Sequence, residues 1–359
     1  MTENCYIHIP FCKSKCNYCA FVSYPCLDKM TGYVYSLLKE ITEHYRGERL
    51  KTLYIGGGTP SLLPLNLLEK ILAKFNYDSE TEVTIELNPD DVSFEKIEAF
   101  KKMGVNRFSV GVQSFDDNVL SLCGRRHDAN VAQRALSVLS ELGLNYSADL
   151  IYGLPAQTLE SFLDDLKSLV NAKVPHISLY GLKIEENTPF YSDEPQNLPD
   201  DDLQADMYLA ACGYLAKEGF NHYEISNFAK PNYESKHNIN YWRNNSYYGF
   251  GVAAHGYVDG FRYYNTSSLE RYMQTPDVSE YAHHVTEQEV LEEEIFLGLR
   301  LAEGLCVDDL NTKFGIDFCS KFEKALKKFD TEYLKKENGR IFLTEKGFML
   351  SNIILSEFV

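Results

Sequence analysis

Short apolar runs alternate with longer amphipathic stretches through the first half of the chain. The runs predict six β-strands, at Tyr6–Ile9, Thr52–Gly56, Val83–Leu87, Arg107–Val112, Tyr146–Ile151 and Ile177–Leu182. The stretches between them have apolar residues at helical spacing, as in Leu65–Phe75, Phe94–Met103, Val131–Leu142 and Leu159–Val170. Such repetition favours an α/β fold with a parallel sheet and right-handed crossovers. Since eight units close a full barrel, six predict a partial (β/α)6 barrel.

The second half changes character twice. Pro189–Asp202 has the composition of a linker, Asp206–Lys217 has a helical pattern, and Phe220–Tyr264 is dense in Tyr, Asn and Gly. We interpret this aromatic-rich segment as a small additional sheet. The sequence thus predicts a partial barrel over residues 1–190, and a linker, helix and additional sheet over 191–285.

Residues 286–359 return to helical spacing and predict a third, winged-helix-like domain. Helices are expected at Glu289–Ala302, Val307–Phe314 and Lys321–Phe329. Asn338-Gly339 predicts a tight hairpin, and a last apolar helix is expected to run to Val359. With 15 acidic and 10 basic side chains, this part has a net charge of −5. That charge favours packing or partner binding over DNA recognition.

Composition excludes several classes of function. The net charge of −17 disfavours nucleic acid as a general partner, because phosphate binding depends on Lys and Arg. No run of about 18 apolar residues predicts a membrane span. The first ten residues lack the basic-then-apolar order of a signal peptide, so we expect a cytoplasmic protein.

Three of the nine cysteines crowd together just after the first predicted strand. They form the motif Cys12-Lys-Ser-Lys-Cys16-Asn-Tyr-Cys19. Clustered thiolates are usual ligands of [4Fe–4S] clusters, and three of them leave one iron open. In radical S-adenosylmethionine (SAM) chemistry, the amino and carboxylate groups of methionine bind that iron. A zinc site or a chance cluster of buried cysteines is the alternative, but no second cysteine pair with zinc-ligand spacing follows.

Five further motifs resemble, in order, the oxygen-independent coproporphyrinogen III oxidase group of radical SAM proteins. These motifs are Tyr6-Ile-His-Ile-Pro-Phe-Cys12, Gly56-Gly-Gly-Thr-Pro60, Glu86-Leu-Asn-Pro89, Gly111-Val-Gln-Ser-Phe115 and Asp149-Leu-Ile-Tyr-Gly-Leu-Pro155. The resemblance covers essentially the whole chain. It implies the radical SAM fold, and it implies that a cluster and SAM bind at the carboxyl ends of the strands.

The resemblance also implies roles for individual residues. Tyr6 would lie beside SAM and the cluster, and Gly57, Gly58 and Thr59 would bring backbone groups close to the methionine portion of SAM. Glycine suits such close approach because it has no side chain. The remaining SAM contacts would be Glu86, Gln113, Arg125 and Asp149.

Each of these residues also has an ordinary structural interpretation. A strand-end Glu or Asp often caps the following helix. Arg125 and Arg126 could form a solvated surface pair. The glycine-rich loop could hold phosphate, although it lacks the P-loop pattern.

Two departures separate this chain from the true oxidases of the group. Phe21 stands where the oxidases have a fourth cysteine, and Tyr6 lies too near the start to leave room for their N-terminal extension. HemW-type haem chaperones have C-x3-C-x2-C-x-F and H-N-x-x-Y-W, and this chain matches the second motif as His237-Asn-Ile-Asn-Tyr-Trp242. The resemblance therefore favours a haem chaperone over an oxidase or another radical SAM enzyme, such as a methyltransferase.

A chaperone of this kind would carry haem as cargo and pass it to an acceptor protein, either a respiratory haem enzyme or a haem store. His237 is the predicted haem ligand, because imidazole commonly binds haem iron. Tyr241 and Trp242 could offer flat apolar faces, and His222 and His255 are alternative ligands. Peripheral membrane association and a homodimer are left open.

Overall fold

The computed structural model describes residues 1–276 and 279–358. They form two compact units, each assembled from separate stretches of chain. The first unit comprises Met1–Gln204 and Ser246–His284. The second comprises Ala205–Asn245 and the chain from Val285 onward.

The strands and helices have the following bounds. The strands are β1 (Asn4–Ile9), β2 (Thr52–Gly57), β3 (Glu82–Leu87), β4 (Arg107–Gln113), β5 (Asn145–Tyr152), β6 (His176–Gly181), β7 (Asn221–Glu224), β8 (Asn227–Ala229), β9 (Tyr248–Phe250), β10 (His255–Val258), β11 (Phe261–Asn265), β12 (Ser279–His284), β13 (Leu305–Cys306), β14 (Leu334–Glu337) and β15 (Arg340–Leu343). The helices are α1 (Met30–His44), α2 (Leu65–Leu72), α3 (Phe94–Lys102), α4 (Asp117–Leu122), α5 (Ala129–Glu141), α6 (Leu159–Asn171), α7 (Pro189–Ser192), α8 (Asp201–Lys217), α9 (Lys236–Trp242), α10 (Leu269–Gln274), α11 (Glu287–Gly298), α12 (Val307–Phe314), α13 (Phe318–Lys321), α14 (Glu323–Lys328), α15 (Glu345–Met349) and α16 (Ser351–Leu355).

A parallel sheet forms the centre of the first unit, with strand order β6-β5-β4-β3-β2-β1-β9. The six predicted strands are confirmed, each within two residues of its expected bounds. Buried apolar side chains on both faces explain why the runs are nearly continuous rather than alternating. The predicted partial (β/α)6 barrel is therefore present.

The sheet has a seventh strand that the sequence did not predict. Residues Tyr248–Phe250 of β9 pair in parallel with Cys5–Ile7 of β1. We had interpreted this stretch as part of the additional sheet. A three-residue strand is too short to show a periodic pattern, and its pairing partner lies more than 240 residues away.

The small additional sheet is also present in the first unit. Strands β10, β11 and β12 form it as an antiparallel meander. The predicted sheet segment nevertheless contains a helix, α9, which carries His237 and Trp242. Ser235 caps this helix by accepting a hydrogen bond from the backbone N–H of Asn238.

The second unit contains the predicted hairpin within a helical domain. Strands β14 and β15 pair through a turn at Asn338 and Gly339, whose φ angles are 52° and 73°. Two positive φ values are the requirement of a type I′ turn. Together with α11, α12 and α14, the hairpin confirms the winged-helix-like arrangement. Val359, the predicted end of the last helix, lies outside the described residues.

In the described part of the chain, we find no helix with the length and apolar character needed to cross a bilayer.

A buried carboxyl group joins α1 to the segments around β9 and β11. Glu40 is only 3% exposed and accepts hydrogen bonds from the Gly251 N–H at 2.9 Å, the Asn265 amide at 2.6 Å and the Tyr272 hydroxyl. Burial raises the pKa of Glu40 to about 7, although these three donors oppose the shift. Folding therefore favours the protonated form of this carboxyl group.

We predict that Glu40 makes stability depend on pH. A carboxyl whose pKa is raised by folding stabilises the folded state most below its unfolded pKa, and this contribution is lost as pH rises through the folded pKa. Relative to Glu40→Gln, the free energy of unfolding of the unmodified protein should fall by on the order of 2 kcal/mol between pH 5 and pH 8. Urea unfolding of both proteins across this range measures the difference, and a flat difference would contradict the prediction.

Candidate functional site

A cavity of about 570 Å³ lies at the carboxyl ends of the parallel strands in the first unit. This is where ligands bind in sheets of this type. The cavity brings together most of the residues predicted as a site: Cys12, Cys16, Cys19, Gly57, Gly58, Thr59, Glu86, Gln113, Arg125 and Asp149. Its size suits a small organic ligand.

The three clustered cysteines lie on one loop, residues 10–25, which we call the cysteine loop. Backbone hydrogen bonds close the loop at its base, from Tyr24 N–H to Pro10 O at 2.7 Å and from Cys12 N–H to Tyr24 O at 3.2 Å. The N–H of Thr59 reaches Phe11 O at 2.7 Å and so attaches the loop to the end of β2. The thiols are thereby presented from a fixed backbone.

A chain of side-chain hydrogen bonds links two of these cysteines across the cavity wall. Thr59 Oγ1 lies 3.6 Å from Cys12 Sγ and accepts from Asn88 Nδ2 at 2.8 Å. Asn88 Oδ1 in turn accepts from Arg125 at 2.9 Å, and Arg125 lies 3.4 Å from Cys16 Sγ. The chain therefore places one hydrogen-bond donor against each of these two sulfurs.

Asn88 is a site residue that our sequence reasoning missed. It uses both ends of its amide, one toward Thr59 and one toward Arg125. The signal was available, because Asn88 stands inside the Glu86-Leu-Asn-Pro89 motif. The motif by itself points to its carboxylate, because an amide carries no charge and has many ordinary structural roles.

The environment of Cys19 is unfavourable for a thiolate unless a cation is bound nearby. Burial raises the pKa of the Cys19 thiol, and the neighbouring Cys16 and Cys12 raise it further. Bringing three thiolates together costs electrostatic energy unless a positive group lies among them. A metal cluster would supply that charge.

Glu86 on β3 and Asp149 on β5 both line the cavity, and neither caps a helix. Glu86 accepts hydrogen bonds from Gly57 N–H at 2.9 Å and from the Tyr54 hydroxyl at 2.8 Å. Burial raises its pKa to about 7 and that of Asp149 to about 6, and the neighbouring charge of Asp149 adds to the shift at Glu86. The ordinary helix-cap interpretation of these two carboxylates is therefore wrong.

Two of the predicted site residues in the cavity each have a buried polar atom without a partner among the described residues. These atoms are Asp149 Oδ1 and Arg125 Nε. Unpartnered buried polar atoms are costly, so a site that retains them fits a ligand with polar groups of its own. Arg125 is not half of a solvated surface pair either, since its guanidinium donates to Asn88 Oδ1 and Gly111 O, whereas Arg126 forms an ion pair with Asp90 at 2.8 Å.

Gln113 ends β4 in an unusual conformation. Its φ of 72° lies in the left-handed region, which non-glycine residues rarely adopt, and the β4–β5 register shifts between Gly111 and Gln113. Backbone strain of this kind concentrates at functional sites. The irregularity places Gln113 in the cavity wall.

The glycines after β2 are required by packing within the protein itself. A Cβ on Gly58 would lie 2.6 Å from Phe11 O, and a Cβ on Gly57 would lie 2.5 Å from the His8 ring. The Gly57 N–H is already engaged by Glu86. Their contact with SAM stays a prediction, and the structure adds a packing reason for both glycines that the sequence does not predict.

Two predicted site residues do not line this cavity. The Tyr6 hydroxyl hydrogen-bonds His8 Nδ1 at 2.9 Å, and His8 Nε2 lies 2.8 Å from Val22 O, so Tyr6 supports the cysteine loop from behind. His237 belongs to the second unit, is 1% exposed, and hydrogen-bonds the Tyr241 hydroxyl through Nε2 at 2.8 Å.

Comparison with known families matches two parts of the chain. Residues 6–169 match the radical SAM superfamily. Residues 285–350 match the HemN C-terminal domain. The first match spans β2 to β5 and most of β1, and the second spans most of the winged-helix-like domain.

Curated relatives match nearly the full length. The chain is 38% identical to "Heme chaperone HemW" of Lactococcus lactis over 99% of this chain and 97% of the relative. It is 34% identical to the protein of the same name from Bacillus subtilis over 99% of both chains. With the Escherichia coli protein of that name it shares 41% identity over 70% of this chain and 69% of the relative.

A solved structure supports the fold assignment. The coproporphyrinogen III oxidase HemN of Escherichia coli superposes with a TM-score of 0.87, covering 99% of this chain and 90% of that one. Sequence identity is 22%. At this identity the likeness establishes a shared radical SAM fold.

We predict that Gly58→Ala disturbs the cysteine loop. The added methyl group would meet backbone atoms of Phe11, which cannot rotate away, so the free energy of unfolding should fall by about 1–3 kcal/mol. Gly213→Ala is the matched control, because a Cβ at this position in α8 meets nothing within 4 Å. Helix propensity should leave that variant unchanged or more stable by up to about 1 kcal/mol. Chemical denaturation of both variants measures the difference, and equal stability would contradict the packing described for Gly58.

Proposed function

The chain belongs to the HemW family of radical SAM proteins, and from this membership we propose that it is a haem chaperone that binds a [4Fe–4S] cluster, SAM and haem. The observation that carries the proposal is full-length similarity to proteins named haem chaperones. Phe21, which is 69% exposed beside the cavity, supports it further, because the oxidases resembled by this chain have a cysteine at that position.

Cys12, Cys16 and Cys19 would hold the cluster. The proposal is supported by the anchored cysteine loop and by the Thr59 and Arg125 groups placed against two of the sulfurs. Three ligands suit a cluster with one open iron, to which the methionine end of SAM can bind. When bound together, the cluster and SAM supply one-electron chemistry that no side chain can provide.

Glu86, Gln113, Arg125 and Asp149 would bind SAM, and Gly57, Gly58 and Thr59 would form the adjoining wall. Support comes from the unpartnered atoms of Arg125 and Asp149, which are available to a polar ligand. Glu86 would accept a hydrogen bond from SAM in exchange for one of its present donors. Tyr6 would act indirectly, by holding His8 and the cysteine loop in place.

Haem is proposed as cargo, and an acceptor protein, either a respiratory haem enzyme or a haem store, would receive it. His237 stays a prediction as the haem ligand. For its ring to reach iron, the hydrogen bond between His237 and Tyr241 must break and the buried side chain must become accessible. The proposed role therefore includes an opening of the α9 region when haem binds.

The first test separates a chaperone from a porphyrinogen oxidase. Reconstituted full-length protein is incubated anaerobically with SAM, a reductant and coproporphyrinogen III, and haem binding is titrated in parallel by visible absorption. We expect stoichiometric haem binding and no protoporphyrin above the level of a protein-free control. Protoporphyrin formation at enzyme-like rates would overturn the chaperone proposal.

The second test concerns the cluster. Separate Cys→Ser changes at positions 12, 16 and 19 should each abolish the brown absorption of the reconstituted protein, because a [4Fe–4S] cluster is held by its thiolate ligands. Cys26→Ser is the matched control, since this half-buried cysteine follows the cysteine loop but does not line the cavity. Iron and sulfide analysis of the four variants provides the measurement, and a Cys16→Ser protein with full cluster content would refute the ligand assignment.

A further inference from the structure

The three-stranded sheet of the first unit gathers six polar and aromatic side chains on one face. Register pairs His255 with Tyr264 and Tyr264 with Tyr281 in one row across the strands. A second row, two residues along each strand, consists of Tyr257, Arg262 and His283. Residues directly opposite each other, and residues two apart on one strand, point to the same side of a sheet. We call this set the His255 face.

Side-chain contacts confirm that these groups form one surface. The rings of His255 and Tyr264 lie 5.4 Å apart, and those of Tyr264 and Tyr281 lie 5.6 Å apart and nearly parallel. In the second row, the Arg262 guanidinium carbon lies 4.2 Å from the centre of the Tyr257 ring. The face is therefore an aromatic row with an imidazole at one end and a cation beside it.

The His255 face is an exposed side of the sheet within the first unit. Tyr264 and Tyr281 are 37% and 47% exposed, and His255 is exposed as well. On the opposite side, Tyr263 turns toward the body of the unit, where its hydroxyl contacts the backbone of Gly249 and its side chain shares a cavity with Glu40. Phe261 and His284 on that side are exposed. A flat ligand could reach the His255 face without any rearrangement of the core.

We propose that the His255 face is a docking surface for haem, with the His255 imidazole as an iron ligand and Arg262 facing a propionate group. This inference rests on the proposed function and names the site of its cargo. Three strands span about 10 Å, which is comparable with the width of a porphyrin ring. Flat aromatic side chains match its apolar plane, and imidazole matches its iron.

The chemistry of the two charged partners is complementary. Haem has two propionate carboxylates, and the Arg262 guanidinium on this face could bind one of them. The chain as a whole has a net charge of −17, so a cation at this position is notable. Burial and the nearby Arg262 charge lower the pKa of His255. The lowered pKa favours the neutral imidazole, which is the form that binds a metal.

The two candidate haem ligands lie in different units: His255 belongs to the first unit and His237 to the second. His237 is buried and hydrogen-bonded to Tyr241, whereas His255 is exposed. Haem could occupy the His255 face in the structure as described, but coordination by His237 requires an opening first. The two assignments predict different variants to lose haem.

The test is a haem titration of full-length protein followed by the Soret band. Compared with the unmodified protein, His255→Ala should shift the band and weaken binding by about tenfold or more, which corresponds to about 1.4 kcal/mol. His284→Ala is the matched control, because this exposed histidine lies on the same sheet but on the opposite side. It should bind haem like the unmodified protein.

A second pair of measurements tests Arg262 without changing the iron ligand. Arg262→Gln should weaken haem binding by about tenfold, the expected loss for a charged hydrogen bond. Haem dimethyl ester, whose carboxylates are blocked, should bind the unmodified protein and Arg262→Gln equally. Circular dichroism of each variant confirms that it remains folded.

The outcomes separate this inference from the proposed function. If the unmodified protein fails to bind haem, the chaperone proposal fails. If it binds haem and His255→Ala and Arg262→Gln bind equally well, the His255 face is refuted while the chaperone proposal stands. Loss of haem only on His237→Ala would likewise refute the His255 face and support the ligand predicted from sequence.

Discussion

The candidate site depends on the close approach of two backbones, those of the cysteine loop and the glycine-rich end of β2. Gly58 leaves room for Phe11, and the neighbouring Thr59 N–H bonds Phe11 O. This approach attaches the thiols to the rigid parallel sheet. It also places Thr59 between Cys12 and Asn88, and so begins the hydrogen-bond chain that ends at Cys16. A binding site built on strand ends rather than on a free loop keeps its geometry without a ligand.

Local patterns were sufficient to predict the elements and much of the site. The six barrel strands, the barrel helices and the Asn338-Gly339 hairpin each have a signal within a few residues, so their prediction was confirmed. Placement of Glu86, Gln113 and Asp149 around one cavity followed from the rule that parallel strands end at the same edge. What resisted prediction depends on contacts between distant residues. The pairing of β9 with β1 and the role of Asn88 are set by partners that no local pattern identifies.

His237 illustrates a different limit. The H-N-x-x-Y-W motif identifies a family, but it does not show whether its histidine is exposed. In the structure the motif forms helix α9, and helical spacing places His237 and Tyr241 one turn apart on the same face. Their hydrogen bond follows directly from this spacing. The aromatic-rich segment Phe220–Tyr264, predicted as one additional sheet, is divided between the two units, and Tyr257 and Tyr264 lie on a separate sheet.

The discontinuous first unit has a consequence for protein synthesis. Strands β1 to β6 have left the ribosome once residue 181 is free, yet the edge of β1 is completed only by β9, nearly 70 residues later. The Glu40 carboxyl likewise gains its hydrogen-bond donors only when Gly251, Asn265 and Tyr272 have been synthesised. During this interval the nascent chain has an unpaired edge on strand β1, and the Glu40 carboxyl lacks the three donors that it has in the folded protein. Exposed strand edges promote aggregation. The nascent chain of this proposed haem chaperone therefore passes through a stage in which another protein that covers the β1 edge would protect it from aggregation.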